Sequence, residues 1–304
     1  SKQGGTAKHL QNDRPLPDVR RRLAGDFCFH RKYRKIHSVK SKALREDALW
    51  KTHHIKGKRS KAMRITLKDG SVKEYAQPMS VLDVAKDLSE GLARVACAGE
   101  VDGEAVDLRT VLEEDCSLNI LTAKDEKGLA ALRHSASHVM AQAIKRLYPS
   151  AKLAIGPSIA DGFYYDMDFE NPITAEDLEK IEAEMKKIVK EALPIERFTL
   201  PREEAIAFMK EKEEPYKVEL IEDLPEGEEI SFYKQGEFTD LCAGPHLMST
   251  KDIGKAYKLM SIAGAYWRGD EHNKMLTRIY ATAFAKKEEL EAYITMMEEA
   301  KKRD

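Results

Sequence analysis

Apolar and polar positions along this chain fall into two regimes that meet at Met63. From there, "MRITL" and "SVKEY" alternate around "KDG", and the Asp69-Gly70 turn signal predicts a hairpin. "SVLDVAKDLSEGL" then spaces its apolar residues as a helix does, with Ser80 as N-cap, Asp83 in an acidic first turn and Gly91 as a stop. "ARVACAGEVDGEAVDL" predicts two short strands about a second turn, and "SLNIL" (117–121) predicts a last one. A half-open sheet crossed by one helix within so few residues is a ubiquitin-like, β-grasp arrangement.

Beyond it the pattern changes again. "TAKDEKG" (122–128) is polar and reads as a linker. A helix follows, then a stretch rich in glycine and aromatics, then the amphipathic "TAEDLEKIEAEMKKIVKEAL", capped at Thr174 and ended by Pro194. A short helix is predicted over 202–212, with strands interleaved after it. The last segment, "KKEELEAYITMMEEAKKRD", predicts a helix laced with i,i+4 charge pairs. A helix stopping in mid-run at Asp304 leads one to expect more protein after it. No repeat of 20–50 residues is present.

Before Met63 there is no sustained period of 3.6 or 2. Residues 1–62 hold 18 Lys/Arg against 5 Asp/Glu, out of 51 and 52 in the whole chain, so the net charge of -1 hides a basic start and an acidic body. The start reads either as a disordered basic arm binding RNA phosphates, or as a segment joined in front of a natural beginning at Met63. The second reading is preferred. No apolar run approaches a membrane span, and no signal-peptide core is present, so a soluble protein with no membrane partner is expected. Cys28, Cys97, Cys116 and Cys242 show no pair spacing. They fit a reducing compartment, with Cys97 and Cys116 as small core residues.

In "GLAALRHSASHVMAQAIKRLY", a turn of 100° per residue gathers Leu129, Leu132, Ala136, Val139, Met140, Ala143 and Leu147 on one stripe. His134 and His138 fall on the opposite face, one turn apart, which leaves a solvent-facing pair or a site. "TDLCAGPH" sets Cys242 and His246 around an Ala-Gly-Pro turn that can aim both side chains one way, with Asp240 beside them. Three nitrogens and a sulfur suit zinc, although a cage closed by four side chains is structural unless water replaces one. Together the two halves point to a polar hydrolytic or metal site.

Three further stretches are candidates. In "AIGPSIADGFYYD", Gly156 lets backbone approach a ligand and aromatics such as Tyr165 can stack on adenine or ribose; a hairpin with a half-buried aromatic face is the plainer reading. In "GAYWRGDEHNKM", Tyr266 and Arg268 between glycines suit contact with nucleic acid. Lys217 in "EEPYKVEL" stands before an expected strand and, as a bare lysine, belongs on the surface.

Taken in order, "LKDGSVKEY", "LRHSASHVM", "AIGPSIADGFYYD", "TDLCAGPH" and "AGAYWRGDEHNKMLTRIYATAF" closely resemble the N-terminal half of bacterial threonyl-tRNA synthetases. The resemblance runs from Met63 to Asp304. It implies an α+β chain: a small β-grasp TGS domain (63–123), an α/β two-layer editing domain (124–286), and a linker helix (287–304) towards an absent class II synthetic domain. ATP and the family's zinc would belong to that absent domain.

The implied activity is hydrolysis of serine mistakenly attached to threonine tRNA, in the cytoplasm and with no metal required. The pocket implied by the resemblance is His134, His138, Lys217, Asp240, Cys242 and His246, with Gly156 and Tyr165 holding the terminal adenosine and aminoacyl group. His134 and Lys217 would orient water and stabilise the oxyanion, and His246 would carry a proton to the leaving ribose oxygen. Asp240 would read the serine amino group, while His138 and Cys242 shape the pocket. The full-length family is expected to be a homodimer and this piece a monomer. Two other readings stand beside this one: a free-standing trans-editing hydrolase, zinc-dependent as in alanine-type editing domains, and a noncatalytic RNA-binding regulator built on the TGS fold.

Overall fold

The computed structural model describes residues 62–303. The expectation of a disordered basic extension falls on residues that, Ala62 apart, lie outside that range. Strands β1 (Met63–Leu67) and β2 (Val72–Tyr75) form the first hairpin, with Gly70 at φ +83° in its turn. That left-handed angle is why glycine stands there. β3 (Met79–Ser80) leads into α1 (Val81–Leu88), where the Ser80 hydroxyl accepts from Asp83 N at 3.0 Å. The helix ends at Ser89, which caps a second short helix, α2 (Glu90–Val95). Gly91 lies inside α2 and is not the stop that the sequence suggested, because Ser89 turns the chain first.

Four strands complete the first domain: β4 (Ala96–Val101), β5 (Glu104–Val106), β6 (Val111–Leu112) and β7 (Cys116–Thr122). The main sheet runs β2-β1-β7-β4-β5, with β1 and β7 parallel and every other pair antiparallel. Ile65, Val81, Val84, Leu108 and Leu118 close its core, so this is the β-grasp expected. Burying each such aliphatic side chain is worth about 1.5–3 kcal/mol.

The second domain opens on α3 (Glu126–Leu147). Little of the expected linker remains: β7 runs to Thr122, and Asp125 accepts from Thr122 N at 2.8 Å just before the helix begins. Val139, Met140 and Ile144 of α3 pack with Phe163, Tyr165 and Met167, with Ile181 and Met185, and also with Cys97, Ala98 and Leu121 of the first domain. Contacts on so many sides bury nearly every residue from Ala131 to Ile144, while Leu147, placed on the apolar stripe by its spacing, is exposed. The face carrying the histidines is therefore covered by protein; a helix buried all round hides behind an apparent stripe. Of the cysteines, Cys97 joins this core and Cys116 is half-buried.

The main sheet of this domain is antiparallel. It contains β8 (Lys152–Leu153), β9 (Ser158–Ile159), β10 (Gly162–Asp168), β14 (Tyr257–Tyr266) and β15 (Met275–Ala283), in the order β14-β15-β10-β8 with β9 on β10. α4 (Ala175–Glu191) packs on the shared core, its first turn held by the Asp177 carboxylate, which accepts from Thr174 N at 2.8 Å. A second sheet, β11 (Ile195–Thr199), β12 (Ser231–Gln235) and β13 (Phe238–Leu241), carries α5 (Arg202–Glu211) and α6 (Pro215–Asp223) through Met209, Ile221 and Phe232. The terminal α7 spans Lys287–Arg303. Among the described residues no helix is long and apolar enough to cross a membrane.

Candidate active site

α3 and β13 supply the two halves of one cluster. His134 and His138 lie one turn apart on α3, their ring centroids separated by 5.3 Å. Beyond β13 the chain turns through a cis Gly244–Pro245 peptide with Gly244 at φ +78°, and this turn delivers Cys242 and His246. Cys242 Sγ sits 3.3 Å from His134 Nε2 and 3.1 Å from His246 Nε2. The His246 ring centroid lies 4.3 Å from that of His134 and 4.2 Å from that of His138. His138 and His246 are buried, whereas His134 and Cys242 keep some exposure.

Asp240, on β13, joins this quartet to a second group. One oxygen accepts a short hydrogen bond from the Tyr165 hydroxyl and stands 3.5 Å from His138 Nε2. The other lies 2.8 Å from Lys217 Nζ in an ion pair. Lys217 Nζ also donates to the Tyr165 hydroxyl at 3.1 Å. Lys217 is only 3 % exposed, and it lies on α6, not before a strand. Both of its expected placements, surface and pre-strand, are thus corrected: Pro215 opens a helix whose buried side carries the lysine to its counter-charge.

Burial sets the protonation of the site. It lowers His134 to about 4 and His138 to about 3, with Lys217 adding to the effect and Asp240 opposing it. It also holds His246 well below the usual imidazole range, reinforced by the other two rings. Burial pushes the Cys242 thiol up to about 12. Asp240 is pushed up by burial but pulled down further by Lys217, His138 and its hydrogen bonds, and ends below the usual carboxylate range. At neutral pH the cluster is three neutral imidazoles and a thiol beside one compensated ion pair.

The quartet can hold a metal ion. Its four ligand atoms lie within 4.8 Å of one another, and tetrahedral zinc at about 2.0–2.3 Å from each donor needs donors roughly 3.3–3.8 Å apart. Ser135 Oγ, 3.1 Å from His246 Nδ1, would orient that ligand from behind.

The remaining candidates separate. Tyr165 joins the cluster through its hydroxyl, but its ring is fully buried and not free to stack on a base. Gly156 serves that ring: a Cβ there would stand 2.2 Å from it. The "GFYYD" aromatics are core residues of a β9–β10 hairpin, the plainer of the two readings. Tyr266 is exposed at the end of β14, and Arg268, at φ +58°, is paired with Glu219 and Asp223 of α6. Neither Tyr266 nor Arg268 is brought to the cluster. Ser135, Tyr233, Asp107 and Arg109 reach it without having been singled out in sequence. Ser135 carries a signal, since it stands between the two histidines; Asp107 and Arg109, far off in the first domain, carry none.

Fold and site together describe a β-grasp domain joined to an α/β domain that carries a buried His/His/Cys/His cluster. Residues 63–122 match the TGS domain family, and residues 230–280 match the family described as "Threonyl and Alanyl tRNA synthetase second additional domain". Over 242 residues, 80% of its length, the chain is 67% identical to the threonine--tRNA ligase of Acetivibrio thermocellus, 62% to that of Clostridioides difficile and 63% to that of Clostridium botulinum. It spans 38% of the length of these curated relatives. These matches are to the TGS and editing portion of threonine--tRNA ligases.

Proposed function

We propose that this chain binds threonine tRNA and hydrolyses the ester of serine mistakenly attached to it. The observation that carries this reading is the buried Lys217–Asp240–Tyr165 group set against three neutral histidines, of which His134 keeps some exposure. Serine lacks one methyl of threonine, a difference worth only about 1–3 kcal/mol to a synthetic site, so a second hydrolytic pocket multiplies selectivity. Asp240, the carboxylate paired with Lys217, accepts from the serine ammonium. Lys217 supplies positive charge for the developing oxyanion, and His134, neutral and partly exposed, orients the attacking water. His246 takes the proton that the attacking water loses and passes it to the leaving ribose oxygen, while His138 and Cys242 shape the pocket. This route uses only the chain's own groups.

The domain limits that go with it are 63–123 and 124–286, with 287–304 as a linker helix. Charging with threonine and ATP, a homodimer and a cytoplasmic setting belong to the proposal for the whole synthetase.

The test is deacylation of serine-charged against threonine-charged tRNA by the chain. Preferential release of serine is expected, and equal hydrolysis of both would remove the proofreading claim. A second reading, favoured by the convergence of four ligand atoms, is a zinc-dependent esterase. It expects loss of activity with a chelator and recovery with added zinc; the first reading expects neither.

A further inference from the structure

We propose that Asp107 and Arg109, residues of the first domain, are positioning residues for the pocket of the second, acting through the backbone of His246. The inference rests on the hydrolytic reading above and extends it across the domain boundary.

The turn from Cys242 to Leu247 is held by side chains where a strand would be held by a ladder. Gly244 N donates to Cys242 Sγ at 3.2 Å, His246 N to Asp107 Oδ2 at 3.0 Å, and Leu247 N to Ser135 Oγ at 2.9 Å. On the other side of the same residue, Arg109 Nη1 donates to the His246 carbonyl at 3.3 Å, and Nη2 donates to the carbonyls of Leu247, at 2.9 Å, and of Ile195. Asp107 and Arg109 are themselves paired at 2.8 Å. One ion pair therefore grips both the N–H and the C=O of His246. Such charge-assisted bonds are roughly twice as strong as neutral ones.

Asp107 also accepts from the Tyr233 hydroxyl at 2.8 Å. The Tyr233 ring lies 4.3 Å from that of His246, and its hydroxyl fills the space where a Cβ on Gly244 would stand. Backbone and ring of His246 are thus both referred to a single carboxylate, between β5 and β6, that takes no part in the chemistry and is 7 % exposed. Burying a carboxylate is costly unless it is fully paired. Here the pairing is directed at one residue of the site.

The test uses the full chain with Asp107→Ala, Asp107→Asn, Arg109→Ala and Arg109→Lys, and Arg64→Ala as a control on an exposed part of the same sheet. Single-turnover and steady-state deacylation of serine-charged tRNA are measured alongside the His246 amide and imidazole NMR resonances. A displaced catalytic group costs about 10- to 100-fold. kcat is therefore expected to fall by that factor with KM within about twofold, more for Asp107→Ala than for Asp107→Asn, whose amide oxygen still accepts. Arg109→Lys should not rescue, because one ammonium cannot span three carbonyls. The His246 resonances should move in every Asp107 and Arg109 variant and stay fixed in Arg64→Ala.

Unchanged kcat in folded Asp107→Asn and Arg109→Lys, or lost kcat with unmoved His246 resonances, would overturn the proposal. An inactive wild-type chain would count against the hydrolytic reading. The NMR comparison would then decide the clamp by itself: moved His246 resonances in Asp107→Asn uphold it, and unmoved ones reject it.

Discussion

Lys217 shows how much a single side chain can change character between sequence and fold. Read alone it is a surface lysine; in the molecule it is buried and lies 2.8 Å from Asp240. Removing one member of a buried pair leaves the other uncompensated and costs about 3–5 kcal/mol. Lys217→Ala is therefore expected to lower unfolding stability by that order in urea titration and to abolish deacylation of serine-charged tRNA. Retention of full activity would remove Lys217 from its assigned role. His134, His138, Cys242 and His246 were legible because each pair lies four residues apart, within one turn of helix or one tight loop. Asp240 was legible by adjacency. Lys217 and Tyr165 meet across 52 residues, and no local pattern records that.

Among the elements, α3 departs most from what its periodicity promised. Its apolar stripe is real, but the helix is packed on several sides, against the first domain's sheet, β10 and α4. The same crowding reaches its first turn, where a Cβ on Gly128 would stand 2.0 Å from the Thr122 carbonyl oxygen. Helix propensity predicts that Gly128→Ala stabilises by about 1 kcal/mol. The structure predicts the opposite sign, a loss of about 1–3 kcal/mol, because backbone cannot give way as a side-chain tip can. The urea midpoint of the variant separates the two. The β1–β2 hairpin and α4 were readable because turn glycine, N-cap and period agree locally. The α1–α2 break at Ser89 and the helix over Pro215–Asp223 were not, since tertiary packing outweighed a weak local preference.

For the whole molecule, the buried histidines tie stability to pH. His134 and His138 titrate near 4 and 3 in the fold, against about 6.5 in the unfolded chain. Between those values the unfolded chain binds more protons, so stability rises with pH there. It is fully present above about 6.5 and is lost as pH falls towards 4 and 3. Each group contributes a slope of up to about 1.4 kcal/mol per pH unit. The urea midpoint of chelator-treated protein is expected to fall steeply between pH 7 and pH 5, and His138→Gln to flatten that fall; a level midpoint across the range would contradict the burial argument.

The sequence by itself determined the order of the domains, the β-grasp, most helices and strands, and the four-residue spacings within "HSASH" and "TDLCAGPH", because periodicity, caps, turns and short spacings are local. Only the tertiary structure decided that α3 has no free face and that Lys217 faces Asp240. It alone decided, too, that "HSASH" and "TDLCAGPH" meet, that Tyr165 reaches the cluster through its hydroxyl and that Asp107 and Arg109 hold His246 from another domain. Each of these is a contact between residues far apart in the chain, fixed by how sheets and helices stack, and no short stretch of sequence carries it.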